Sequence, residues 1–345
     1  MRLLPDLKLP LLQAPMAGVA TPALAAAVSE AGALGALGLG AAGAEGAAAM
    51  IRQTQALTDR PFNVNLFCHR PARRDPAREA AWIARAAPVF SAFDAAPPEA
   101  LSEIYLSFRQ DDAMLRVLLE SRPPVISFHF GLPREDQLAA LRETGAVLIA
   151  TATSEAEARQ IETAGLDGIV AQGWEAGGHR GIFDPAGPDE RLTTEALVRR
   201  LSRSTRLPLI AAGGLMDGAD IRRALDWGAA AAQLGTAFIP CAESAADADY
   251  RARLSEGATV MTPAISGRPA RCLRNRITDW AADAAPKDVA PYPCAYDLGK
   301  ALNAAARAKG EAGFGAHWSG TGAARARAMP AADLVARLAA EYSAA

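Results

Sequence analysis

Lysine is scarce in this chain of 345 residues, standing only at positions 8, 287, 300 and 309, while Lys and Arg together number 36. No short apolar run ends near a lysine, which argues against Schiff-base chemistry by a strand-end amine. Cysteine is equally thin. Cys68, Cys241, Cys272 and Cys294 are isolated and form no C-x-x-C, so neither a disulfide framework nor a thiol redox motif is expected. The four histidines lack ligand-like spacing, and no metal site is inferred. Long uninterrupted apolar runs are missing too. Pro5, Asp6, Lys8 and Pro10 break the first segment, and Glu30 and Glu45 interrupt the Ala/Gly-rich stretch 23–49. Neither a secretory leader nor a membrane span is expected, and the reading is a soluble, cytoplasmic protein. Charge of one sign does not accumulate: the net charge is −2, the pI near 6.1, and no Lys/Arg cluster stands out. Nucleic acid and anionic membrane are therefore poor partners. Half of the residues are hydrophobic, enough for a sizeable core.

What is present is alternation. Eight short apolar runs (11–16, 34–40, 62–67, 125–130, 147–152, 167–172, 207–213 and 230–238) are separated by helical patterns. Most runs are apolar on both faces, as strands of a covered parallel sheet are. Thr21 followed by Pro22 opens a helix that stops at Gly32. Ser154 and Glu157 have the spacing of a capping box, with a stop at Gly165. Asp217 starts a helix that ends at Gly228, and 191–205 is a fourth. The order predicts a TIM (β/α)8 barrel, with an open doubly wound sheet as the alternative. The expected divisions are a barrel over 1–240, a mostly helical lid over 241–312, and a C-terminal helical segment over 313–345 that returns to the barrel. Residues 68–110, polar and broken by proline, are expected to form helices and loops over the barrel.

The glycine-rich turns carry the chemistry. "GLGAAG" at 38–43 satisfies G-x-G-x-x-G, and Asp59 lies at the right distance for a ribose-binding acid. It follows the second strand, however, and Asp59 precedes the next strand instead of ending it, so a tight turn is the better reading. "AAGGLMDG" and "QLGTAF" end the seventh and eighth strands. Gly213, Gly214, Gly235 and Thr236 would expose backbone N–H groups at one barrel mouth, where barrel enzymes often bind phosphate. Gln13 and Asn65 close strands 1 and 3 at that mouth. They serve either a structural hydrogen-bond network or a heteroaromatic ring. Together with the phosphate site they make FMN the economical ligand. "AQGWEAGGHRG" at 171–181 follows strand 6. Its glycines allow close approach to a flat ring, and His179 is placed as a proton acceptor. His129, ending strand 4, is either a second polar group there or a core histidine.

The segments "QAPMAGVATP", "FNVNLF", "ISFHFG", "AQGWEAGGHRG", "AAGGLMDG" and "QLGTAF" together resemble the nitronate monooxygenase family, in order from about residue 11 to 335. "YPCAYDLGK" and the pattern in "HWSGTGAARARAMPAADLVARL" resemble its bacterial class. The resemblance implies FMN on a TIM barrel and oxidation of alkyl nitronates such as propionate 3-nitronate by dioxygen, to a carbonyl compound and nitrite. It implies flavin contacts from Ala14, Pro15, Met16, Asn65, Gln172, Gly177, Gly178, Gly213, Gly214, Gln233, Leu234, Gly235 and Thr236. His179 would be the active-site base, and His129, Tyr292, Tyr296 and Lys300 would face the substrate. Helical spacing puts Tyr296 and Lys300 on one face, which suits an anion. Ser319, Thr321 and Phe314 depart from the family pattern, and they are expected near the flavin ring, where they would bear on substrate range. Two rivals are an NADH-dependent enoyl-acyl-carrier-protein reductase, which shares an "EAGGH"-like loop, and a non-catalytic flavin-binding module.

Overall fold

A computed structural model describes residues 7–345. Eight strands run parallel in a single sheet: β1 Leu11–Gln13, β2 Gly35–Gly38, β3 Phe62–Phe67, β4 Val125–His129, β5 Val147–Ala152, β6 Gly168–Gln172, β7 Leu209–Ala212 and β8 Ala231–Leu234. Each lies within its expected run. β1 pairs with β8, and the remaining strands follow in sequence order around to β2. The ring is joined between β1 and β2 by Gln13 N–H to the Leu34 carbonyl at 2.8 Å and Leu34 N–H to the Leu11 carbonyl at 3.0 Å. This is a TIM barrel.

Period-two alternation divides the strand residues. Leu11, Val64, Ile126, Leu148 and Ile169 point outward into the large core under the helices. Leu12, Leu34, Val125, Ile149, Val170 and Ile210 form a separate apolar plug. Further along the same strands, alternate positions turn polar: Asn65, Ser127, Thr151, Gln172 and Gln233. Four of these are buried, Gln233 only partly so, and all lie beside one cavity. The runs are thus apolar on both faces only in their first halves.

Seven barrel helices follow their strands: α1 Pro22–Glu30, α2 Ala44–Leu57, α3 Asp112–Ser121, α4 Glu135–Glu143, α5 Glu155–Thr163, α6 Thr194–Ser204 and α7 Gly218–Asp226. Thr21 caps α1, its hydroxyl accepting from Leu24 N–H at 3.0 Å, and Asp217 caps α7 through Asp220 N–H at 2.8 Å. The expected capping box of α5 is only half formed. Ser154 caps the helix, but the Glu157 carboxylate turns to Thr153 N–H at 2.6 Å and Phe183 N–H at 2.7 Å, tying the helix to the loop beyond His179. α8, Ala331–Ala344, packs against both α7 and α1 and fills the eighth helical place. Everything between β8 and α8 is therefore inserted into the last βα unit.

That insertion holds helices Ala248–Arg253, Arg276–Trp280 and Cys294–Ala308, and also strands Thr259–Thr262 and Ala270–Leu273. The two strands pair antiparallel, and the second pairs with Gly178–His179. Helix Pro76–Ser91 packs against Cys294–Ala308, and the two segments share a second core around Trp82, Phe90, Ile265, Leu298 and Leu302. They form one cap over the C-terminal mouth of the barrel.

Candidate active site

A cavity of about 590 Å³ lies between barrel mouth and cap. Its size falls within the range of small-molecule sites, roughly 300–1,000 Å³. Its walls come from six βα loops and the cap, so residues far apart in sequence meet there.

The stretch 172–181 shapes one wall. Gln172 works at both ends: its Nε2 donates to the His179 carbonyl at 3.0 Å, and its Oε1 accepts from Gly181 N–H at 2.7 Å. Arg180, 1% exposed, donates to the Gln172 carbonyl at 2.6 Å and grips Asp189 with two bonds of 2.9 Å. The loop is fixed at its two ends by the side chains of Gln172, Arg180 and Asp189, which leaves the glycines between them bare. Gly177 is obligatory for another reason: a Cβ there would stand 2.4 Å from Gly320 N and 2.5 Å from Ser319 C, inside backbone. Against this loop, beside Glu175 and Ala176, the turn after β7 takes Gly213 and Gly214 through φ of 128° and 72°, a course side chains resist.

His179 donates from or accepts at Nε2 with Ser266 Oγ at 2.8 Å, and its ring lies 4.9 Å from Trp318 and 5.7 Å from Tyr292, centroid to centroid. Burial lowers its pKa to about 3, with the nearby His129 and Arg268 adding to the effect. His129 bonds Thr151 Oγ1 at 3.0 Å and the His179 carbonyl at 3.2 Å, and burial lowers it to about 4. Both imidazoles are neutral at neutral pH. Lys300 Nζ stands 4.9 Å from the Tyr105 ring centroid and 5.5 Å from that of Tyr296. No aspartate or glutamate lines the cavity, and Lys300 is its one ionised side chain among the described residues.

Of the residues expected at the site, Ala14, Pro15, Met16, Asn65, Gln172, Gly177, Gly178, Gly213, Gly214, Gln233, Gly235 and Thr236 line this cavity, as do His129, His179, Tyr292, Tyr296 and Lys300. Leu234 does not. It is 1% exposed and packs outward with the helices, because strand alternation turns it away from its neighbours Gln233 and Gly235. Gln13 takes the structural course: its Oε1 accepts from Ala36 N–H at 2.8 Å, reinforcing the seam between β1 and β2. Asn65 donates to Ser127 Oγ at 2.8 Å. Phe314, expected near the ring, packs against Phe93 at 5.4 Å in the cap core. Ser319 and Thr321 do not line the cavity either; Trp318, Gly320 and Gly322 do. Gly38 of "GLGAAG" serves packing, since a Cβ would meet Ala17 N at 2.6 Å. Sequence reasoning missed Tyr105, Tyr250 and Trp318 on the walls and Ser266 behind His179. Each is brought by a segment whose path depends on the cap.

A barrel with a glycine-walled cavity at its C-terminal mouth, lined by no carboxylate among the described residues, has the build of a TIM-barrel enzyme with a small-molecule site. A family model described as nitronate monooxygenase matches residues 2–341. The nitronate monooxygenase of Paraburkholderia phytofirmans is 58% identical over 332 residues, spanning 95% of this chain and 91% of the relative. That of Pseudomonas aeruginosa is 51% identical over 329 residues and 94% of each chain. Among solved structures, a nitroalkane oxidase from Streptomyces ansochromogenes superposes with a TM-score of 0.90 at 38% identity, covering 99% of this chain and 97% of its own. FabK from Thermotoga maritima follows the same fold, with a TM-score of 0.74 at 29% identity over 99% and 94%. The chain belongs to the nitronate monooxygenase family, and with it to the flavin-dependent oxidoreductases. No helix among the described residues is long and apolar enough to cross a membrane.

Proposed function

We propose that this chain binds FMN in the cavity and oxidises alkyl nitronates of the propionate 3-nitronate kind with dioxygen, giving a carbonyl compound and nitrite. The observation that carries the reading is the charge of the walls: among the described residues they hold no carboxylate, neutral histidines and one ammonium, Lys300. Such a cavity suits anions, and a nitronate is one. The turns at Gly213–Gly214 and Gly235–Thr236 would hold the phosphate, and Met16, Asn65, Gln172 and Gly177 would lie along the ring. The bound flavin would supply the redox chemistry, accepting an electron from the nitronate and opening the way to dioxygen.

The protein's part is to bind, orient and exclude water. Lys300 and the hydroxyls of Tyr105 and Tyr296 offer donors to a nitronate or to a carboxylate on it. His179 is neutral, with Nε2 engaged by Ser266 and no partner at Nδ1 among the described residues. It can accept a hydrogen bond, but at a pKa of about 3 it is a weak base. The preformed nitronate is therefore the better substrate, and the neutral nitroalkane the poorer one. Purified protein should release FMN on denaturation and produce nitrite from propionate 3-nitronate faster than from 2-nitropropane. A preparation that is colourless and refuses added FMN overturns the reading, as does flavin-loaded protein that yields no nitrite.

A further inference from the structure

Behind His179 lies a cation without a counter-ion. Arg268 is 4% exposed, makes no ion pair among the described residues, and leaves its Nε without a hydrogen-bond partner. Among the described residues its one side-chain hydrogen bond is from Nη2 to the Ile182 carbonyl. The guanidinium lies over the Phe130 ring, 4.2 Å from the centroid, and 5.8 Å from that of Tyr292. Phe130 in turn meets His179 edge-on at 5.5 Å. The backbone at Arg268 is tied to the same place: its N–H donates to Ser266 Oγ at 3.3 Å, and that hydroxyl faces His179 Nε2. The turn that carries it is seated closely, since a Cβ on Gly267 would meet Tyr292 N at 2.4 Å.

A buried, unpaired charge is expensive, and evolution usually pairs it or removes it. Glu157 and Asp184 act on it through space, without an ion-pair contact. The Phe130 and Tyr292 rings stand beside it, Tyr292 on the cavity wall, and a charge so buried acts on the cavity with little screening.

We propose that Arg268 is a specificity-determining residue, whose uncompensated charge makes the His179 end of the cavity select anionic ligands over neutral ones of the same shape. The inference rests on the reading that nitronates bind there. Lys300 attracts an anion from helix Cys294–Ala308, beside Tyr296; Arg268 acts on it from beside Phe130 and Tyr292, without touching it.

The test compares wild type with Arg268→Met and Arg268→Lys, all loaded with FMN. Two quantities are read: KM for ethyl nitronate, and the inhibition constant of neutral nitroethane against it. In Arg268→Met the nitronate KM should rise by about tenfold while the nitroethane constant stays within about twofold, as expected when one charge interaction is lost. Arg268→Lys, which keeps the charge, should restore most of the difference. Arg268→Gln keeps an amide donor for the Ile182 carbonyl and should behave as Arg268→Met does, which preserves the test if the Met variant fails to fold. Equal changes for anion and neutral ligand, or none, overturn the proposal while leaving nitronate oxidation by wild type intact. Wild type that binds no nitronate overturns the functional reading first, and this inference with it.

Discussion

Single residues at this site act through burial more than through intrinsic chemistry. His179 has an ordinary imidazole, but desolvation lowers it to about 3 and makes it a hydrogen-bonding group first and a base second. Replacing it with Asn should cut whatever activity exists on neutral nitroalkanes by about a hundredfold and that on preformed nitronates by clearly less. Equal losses on the two substrate forms, measured as kcat/KM at one pH, would remove the proton-transfer role. Lys300 gives the complementary case. Lys300→Met should raise KM for propionate 3-nitronate by about tenfold and that for an uncarboxylated nitronate by less, since the second anionic group gives the ammonium a further charge-assisted contact to lose. Steady-state kinetics with the two nitronates decide it.

At the scale of elements, the 172–181 loop shows how a short sequence becomes a rigid wall. Arg180, Asp189 and Gln172 fix its two ends, and Gly177 lets the 318–322 segment pass against it. Gly177→Ala puts a methyl into the backbone of Ser319 and Gly320, and the two segments must part. We expect a loss of about 1–3 kcal/mol in stability and a marked loss of retained flavin, read by melting temperature and by the flavin-to-protein absorbance ratio. A variant with full flavin content and wild-type melting would show that the close approach is not needed. The glycines and eight strands were legible in the sequence because each answers a local rule: apolar runs, capping residues, backbone without side chains. Tyr105, Trp318 and Ser266 were not. They sit in irregular or cap segments, where position is set by packing between Pro76–Ser91 and Cys294–Ala308. Phe314 failed the expectation for the same reason, since the cap core claims it before the cavity can.

Taken whole, the molecule shields its four histidines from bulk water, His69 and His317 in the interior and His129 and His179 half-buried on the cavity wall. His69, His129 and His317 are lowered to about 4 and His179 to about 3, in each case chiefly by desolvation. The unfolded chain takes up protons on imidazole near pH 6.5, whereas the folded chain resists until far lower. Folded-state pKa values below the unfolded value mean stability that is fully present above about pH 6.5 and lost as pH falls towards 4. Melting temperature should therefore drop steeply between pH 6.5 and 4 and be nearly flat from 7 to 8. Thermal melts in buffers of matched ionic strength test this, and a flat profile down to pH 4.5 would mean that the imidazoles protonate without cost. Carboxylates with lowered pKa values, such as Glu341 at about 2, add their own losses only at more acid pH.

The sequence alone determined the barrel, because strand and helix periods and glycine stops are local properties of the chain. It also determined which βα turns are bare enough to approach a ligand. Tertiary structure decided the rest: that α8 completes the ring after a long insertion, that Leu234 faces away while Gln233 and Gly235 face in, and that the cap delivers Tyr105, Tyr296 and Lys300 to one end. It decided the chemistry of His179 as well. An imidazole's proton affinity depends on how much water surrounds it and which charges stand behind it, and neither is written in the neighbours it has along the chain.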